Sequence, residues 1–138
     1  MALIFDPLLK CIQTLDRSLV GLDATEKGTI DYEVYRNSVV KSFELTLEMS
    51  GKSVKRALKE YMASPKLVQE LTFKDIFRFA AQYGLIEDPS PWFEYQDSRN
   101  NTVHDYGENF ADTVLKLIQR FYIDAVQLHL TLVQKHGV

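Results

Sequence analysis

The run Ser98-Arg99-Asn100-Asn101-Thr102-Val103-His104-Asp105-Tyr106-Gly107 brings together a guanidinium, two carboxamides, an imidazole and a phenol. A guanidinium offers a planar fork of donors that fits phosphate oxygens, an imidazole exchanges protons near neutral pH, and a phenol is both a donor and a nucleophile. Together they suit work on a phosphodiester. His104 can act as general base or acid, Arg99 can hold the developing charge of a phosphorane, and Asn100 can orient the phosphate or the imidazole. In such a scheme a ribose 2′-hydroxyl attacks the neighbouring phosphorus without a metal ion, which confines the chemistry to RNA.

Spacing constrains how these groups meet. On a regular helix the step from Arg99 to His104 turns the two side chains roughly 140° apart, so they do not share one narrow face. Asn100 and His104 do share a face, being four apart, whereas Arg99 aligns with Val103. Either the helix is distorted through Asn100-Asn101-Thr102, or a second copy of the chain completes the site across a two-fold axis, giving a cleft with two Arg and two His. Asn101 and Asp105, in the same run, are candidates for contacting substrate or nucleotide. Structural roles are also open: His104 as a cation at a helix end, Tyr106 as a core aromatic beside Gly107, and Arg99 in an ion pair with Asp97 or Asp105.

The elements that must position this run read as helices throughout. Ile4, Leu8, Cys11 with Ile12, Leu15, Leu19 and Leu22 recur at steps of three and four, so a first helix runs to near Gly21, with a turn at Lys27-Gly28. A second helix extends from about Asp31 to Met62 on the stripe Val40, Phe43, Leu47, Val54, Leu58 and Tyr61, about 45 Å long. Gly51 inside it suggests close approach of another helix, of this chain or of a second subunit. Ser64-Pro65 and Thr72 start short helices, Gly84 closes the second of these, and Ser90-Pro91 begins the helix that carries Trp92, Phe93 and Tyr95 into the motif. Gly107 ends that helix. A last helix starts near Glu108 or Asn109 on the stripe Phe110, Val114, Leu117, Phe121, Ala125, Leu128 and Leu132. The fold expected is all-α: an antiparallel bundle of the four-helix up-down type, with three long and two or three short helices, as one domain over residues 1–138.

Composition limits the partners. With 138 residues, a formal charge of -3 and a pI near 5.6, the chain is unlike proteins that coat nucleic acid non-specifically, so any RNA contact is local. Cys11 is the one cysteine, which excludes an intrachain disulfide or a cysteine zinc cluster and makes it core filler beside Leu8, Ile12 and Leu15. No basic leader and no membrane-length apolar run is visible, so a soluble cytoplasmic protein is expected. Glu44 and Glu48 read as a salt-bridged solvent face rather than a metal pair, and no metal or other cofactor is expected. Lys52, Lys55, Arg56 and Lys59 form the basic cluster, read as a solvated face, while His129 and His136 have no companion in sequence.

Arg99-x4-His104-x-Tyr106, with Asn after the Arg, an amphipathic helix before it and a long C-terminal helix after it, resembles the motif of the HEPN superfamily, in its nucleotidyltransferase substrate-binding or HepT-like toxin branch. Phe43-Glu44-Leu45-Thr46-Leu47-Glu48, Ser64-Pro65-Lys66 and Gly84-Leu85-Ile86-Glu87-Asp88 extend the likeness over most of the chain. The resemblance implies a homodimeric bundle encoded beside a small nucleotidyltransferase. It implies RNA cleavage by Arg99 and His104, silenced when the partner transfers AMP from ATP to Tyr106. Asp105 departs from the neutral residue frequent there, and a carboxylate in that place would raise the His104 pKa or repel RNA. The alternative role is a non-catalytic subunit that presents a nucleotide or Tyr106 to the nucleotidyltransferase.

Overall fold

A computed structural model describes residues 2–102 and 112–137, with the side chains at 101, 102 and 112 left aside. The described chain forms α1 (Asp6–Asp23), α2 (Ile30–Leu58), α3 (Pro65–Gln69), α4 (Phe73–Gln82), α5 (Ser90–Thr102) and α6 (Asp112–His136). Three are long, at 18, 29 and 25 residues, and three are short, at 5, 10 and 13. The fold is the all-α bundle that the apolar periodicity demands.

Helix starts follow from local capping. The Thr29, Ser64 and Thr72 hydroxyls accept hydrogen bonds from the amides of Tyr32, Leu67 and Asp75, at 3.2, 3.3 and 3.2 Å. Each satisfies a donor that the first helical turn leaves orphaned. Asp88 does the same for α5, accepting from the Ser90 amide at 2.9 Å.

Contacts fix the directions of the long helices. Ser18 faces Ser38 at 2.6 Å, Gly21 faces Tyr35, and the Arg56 guanidinium donates to the Ile4 carbonyl at 2.6 Å, so α1 and α2 are antiparallel. Glu94 meets Arg120 at one level of the α5–α6 pair, Pro91 and Trp92 line one cavity with Asp124 and Leu128, and Ser98 lines another with Thr113 and Lys116, so these two are also antiparallel. Since Phe43 packs on Phe121 and Tyr61 meets His136, α2 and α6 run the same way. The result is up-down-up-down over α1, α2, α5 and α6, with α3 and α4 filling the long connection.

The core is aromatic where four helices converge. Trp92 of α5 stacks on Phe77 of α4 at 4.5 Å and presents an edge to Phe121 of α6 at 5.8 Å, and Phe43 of α2 meets Phe121 edge to face at 5.0 Å. Phe43, Phe77, Tyr95 and Phe121 are fully buried and Trp92 nearly so. Burial on this scale dominates the stability of a chain of this size, each large apolar side chain contributing about 1.5–3 kcal/mol.

Several expectations change. Gly21 does not end α1, which continues to Asp23; a Cβ there would fall 2.1–2.6 Å from the Tyr35 ring, so this glycine admits the close packing of α2. Conversely, the approach expected at Gly51 comes from Phe73 of the same chain, and a Cβ would sit 3.4 Å from that ring, an ordinary contact. Ile4 is 56% exposed because α1 begins at Asp6 and Phe5 takes the inward place. α2 ends at Leu58, and the chain turns tightly from Lys59 to Met62, leaving Tyr61 outside the helical stripe. Cys11 is only half-buried, at the edge of the core; burial and then the Glu48 charge raise its thiol pKa, keeping it protonated at neutral pH. Phe110 and the expected start of the last helix lie outside the described residues.

Because alanine fits at position 51 without displacing Phe73, Gly51→Ala should stabilise the fold by about 0.5–1 kcal/mol through helix propensity alone. Urea unfolding with an unchanged m-value would measure this, and a lower midpoint would show that the Phe73 contact is tighter than it looks.

Candidate functional site

Arg99 and Asn100 lie near the C-terminal end of α5, Arg99 half-buried and Asn100 exposed, with Asn101 and Thr102 completing the helix. His104, Asp105, Tyr106 and Gly107 lie outside the described residues, and with them the mutual geometry of the Arg and His. What the fold specifies is how α5 carries Arg99.

Three attachments hold that helix. One turn before Arg99, the buried Tyr95 hydroxyl donates to the Asp124 carboxylate of α6. Burial, then the hydrogen bond to Asp124, push the Tyr95 pKa far above its ordinary value, so the phenol stays protonated and remains a donor. Beside it, Arg120 donates to Glu94 at 2.6 Å and lies over the Tyr95 ring at 5.8 Å. The hydrogen bond to Glu94 is the main cause of the raised Arg120 pKa. On the opposite flank, Lys74 of α4 lies 3.4 Å from Asp97, and Lys74 and Arg78 sit over the Phe93 ring at 5.8 and 5.1 Å. Asp97, a sequence candidate for pairing with Arg99, is thus engaged with Lys74.

Between the end of α5 and the start of α6 runs a groove of about 490 Å³, whose walls include Glu94, Ser98, Thr113, Lys116, Leu117 and Arg120. Lys116 and two hydroxyls there give the α6 flank of the motif helix a surface able to attract phosphate, while Arg120 is committed to Glu94. The other flank has a feature that sequence does not reveal. The Gln96 side-chain oxygen is buried without a hydrogen-bond partner among the described residues. It lies one turn before Asn100, and only the packing of α5 could have shown that its oxygen is enclosed.

Other candidates settle into structural roles. Glu48 pairs with Lys52 at 3.2 Å. Lys55 donates to the Gln69 carbonyl at 2.9 Å, and Arg56 reaches Ile4 and the Phe5 ring, so half of the basic cluster ties the chain together. Trp92 and Tyr95 are core, not stacking platforms. His136, without companions in sequence, gains two in the fold, Glu60 and Tyr61. Among the described residues no group of three or more His, Cys, Asp or Glu could hold a metal ion, and no helix is long and apolar enough to cross a membrane.

Residues 5–134, nearly the whole chain, match the family described as nucleotidyltransferase substrate binding protein like. The chain belongs to this family. It is 37% identical over 86 residues to a Haemophilus influenzae protein named probable ribonuclease HepT, a match covering 62% of this chain and 59% of that protein. The match thus spans about three fifths of that relative's length. A solved Haemophilus influenzae structure, described as revealing the fold of a substrate binding domain of a nucleotidyltransferase, superposes with a TM-score of 0.82 at 29% identity, covering 94% of this chain and 98% of the other. Family membership and the two relatives support the HEPN and HepT-like resemblance.

The Tyr95–Asp124 bond yields a stability prediction. Tyr95→Phe should cost about 1–2 kcal/mol in chemical unfolding, because Asp124 loses its donor while the ring packing is kept. Since the folded pKa lies above the ordinary value of 10.0, the bond's contribution is full below pH 10 and fades as pH rises above it. The wild type should therefore lose stability above pH 10 more steeply than Tyr95→Phe; parallel profiles would show that the phenol is not the titrating group.

Proposed function

We propose that the protein is the RNA-cleaving toxin of a pair whose other member is a small nucleotidyltransferase. The observation that carries this reading is the coincidence of family membership with the Arg99-Asn100 end of α5, in a chain similar to a protein named as a probable ribonuclease. In the proposed reaction His104 takes the proton of a ribose 2′-hydroxyl as its oxygen attacks the adjacent phosphorus. Arg99 stabilises the phosphorane charge, Asn100 orients the phosphate, and the 5′-oxygen leaves with a proton, giving a 2′,3′-cyclic phosphate. Asn101 and Asp105 contact the substrate or nucleotide. Two copies of the chain form the site across a two-fold axis, which reconciles the wide angle between Arg99 and His104 on a regular helix.

Control falls to Tyr106 in this reading. Transfer of AMP from ATP to its hydroxyl by the partner places a tethered phosphodiester and purine beside Arg99 and His104, filling the substrate's phosphate site. A second reading, a non-catalytic subunit presenting a nucleotide or Tyr106 to the nucleotidyltransferase, draws support from the descriptions of the family and of the solved relative, both of which speak of substrate binding.

The purified protein should cleave RNA in the presence of EDTA and leave 2′,3′-cyclic ends. His104→Ala and Arg99→Ala should each lower the rate by about 10²–10⁴-fold. RNA left intact by the wild type, together with stable co-purification of the nucleotidyltransferase, would favour the substrate-binding subunit instead. Intact mass after co-expression tests control directly: AMP-sized increments on the wild type should be absent from Tyr106→Phe.

A further inference from the structure

At the end of the bundle where α6 finishes, the fold assembles a constellation that sequence separates by more than half of the chain. His136 Nδ1 lies 2.6 Å from a Glu60 carboxylate oxygen, and its Nε2 lies 2.7 Å from the Tyr61 hydroxyl. A ring nitrogen facing a carboxylate carries the proton, so in the neutral imidazole the other nitrogen is an acceptor, aimed at the phenol. The His136 side chain is 8% exposed, held edge to face against the Tyr61 ring at 5.1 Å, so the pair is fixed rather than transient. Tyr61 is in turn stacked on Tyr83 at 4.7 Å, yet is itself 37% exposed.

Acid, oriented base and reachable hydroxyl are in the order that activates a nucleophile: the carboxylate fixes the tautomer and ring orientation, and the imidazole takes the proton of the attacking oxygen. We propose that Tyr61 is a covalent modification site, a phenol activated by His136 and Glu60 to accept an acyl group from an activated ester. In that step the Tyr61 oxygen bonds to the acyl carbon, its proton passes to His136 Nε2, and the alcohol or phenol of the ester leaves, taking up that proton. The Glu60 carboxylate, across the imidazole from the phenol, favours an uncharged acyl donor over a polyanionic phosphoryl donor, which it would repel. The site is separate from the Arg99 motif, because the two lie at opposite ends of α6.

The chain contains its own control in Tyr35, which is 38% exposed, the same as Tyr61 within a percentage point, and lies against Gly21. The full-length protein would be treated with 4-nitrophenyl acetate, and acetylated residues mapped by mass spectrometry against time. Tyr61 should be acetylated about tenfold faster than Tyr35 or more, in keeping with general-base assistance. His136→Gln should bring Tyr61 down to the rate of Tyr35, and Glu60→Gln should fall between. Equal rates at Tyr61 and Tyr35 in the wild type, or acetyl groups confined to His136, would overturn the proposal and leave the cluster as a structural clasp. The wild-type comparison decides the matter even if His136→Gln fails to fold.

Discussion

A single hydrogen bond between a buried phenol and a carboxylate, Tyr95 to Asp124, determines where the motif helix stands. α5 is short and carries no strong apolar stripe beyond its first two turns, so burial alone would hold it only at its N-terminal end. The bond to α6 fixes its height, Glu94–Arg120 fixes its rotation, and Lys74–Asp97 closes the opposite side. Only the first of these three has a fully buried partner, the Tyr95 side chain. Exposed ion pairs contribute little against water and salt, whereas a satisfied hydrogen bond in the core cannot be given up without leaving a polar group stranded. The position of Arg99 is therefore inherited from an aromatic residue one turn away.

Much of this architecture was legible because its determinants are local. Capping hydroxyls at Ser64 and Thr72 act over three residues, and the apolar stripes of α2 and α6 repeat within a few turns, so both could be read without knowing what they pack against. Features that depend on a distant partner were not legible. Gly21 looked like a helix stop because Tyr35, whose ring occupies the space of its missing side chain, is on another helix. His136 looked isolated because Glu60 and Tyr61 are 76 and 75 positions earlier in the chain. At the candidate site, sequence supplied the residue types and the packing of α5 supplied the enclosed Gln96 oxygen, a product of tertiary burial that no spacing encodes.

The basic cluster on α2 shows how charge can mislead. Four cations within eight residues suggest a surface for polyanions, yet Lys55 and Arg56 spend their donors on backbone carbonyls of neighbouring segments and Lys52 faces a glutamate. Cations on the α5–α6 groove fare differently: Arg120 is engaged with Glu94, while Lys116 has no carboxylate partner among the described residues. In a chain with an acidic balance, one such lysine beside the motif has more effect on where an anion settles than several committed ones elsewhere.

The bridge between Leu3 and Gly137 brings the two ends of the described chain side by side, at the foot of α6. α6 is 25 residues long, so the helix end nearest the motif stands about 37 Å away. A linker, dye or surface tether attached at either end would thus emerge from the pole remote from Arg99. The molecule can be immobilised with its motif-bearing pole facing solution, and the choice between the two ends makes no difference to that orientation.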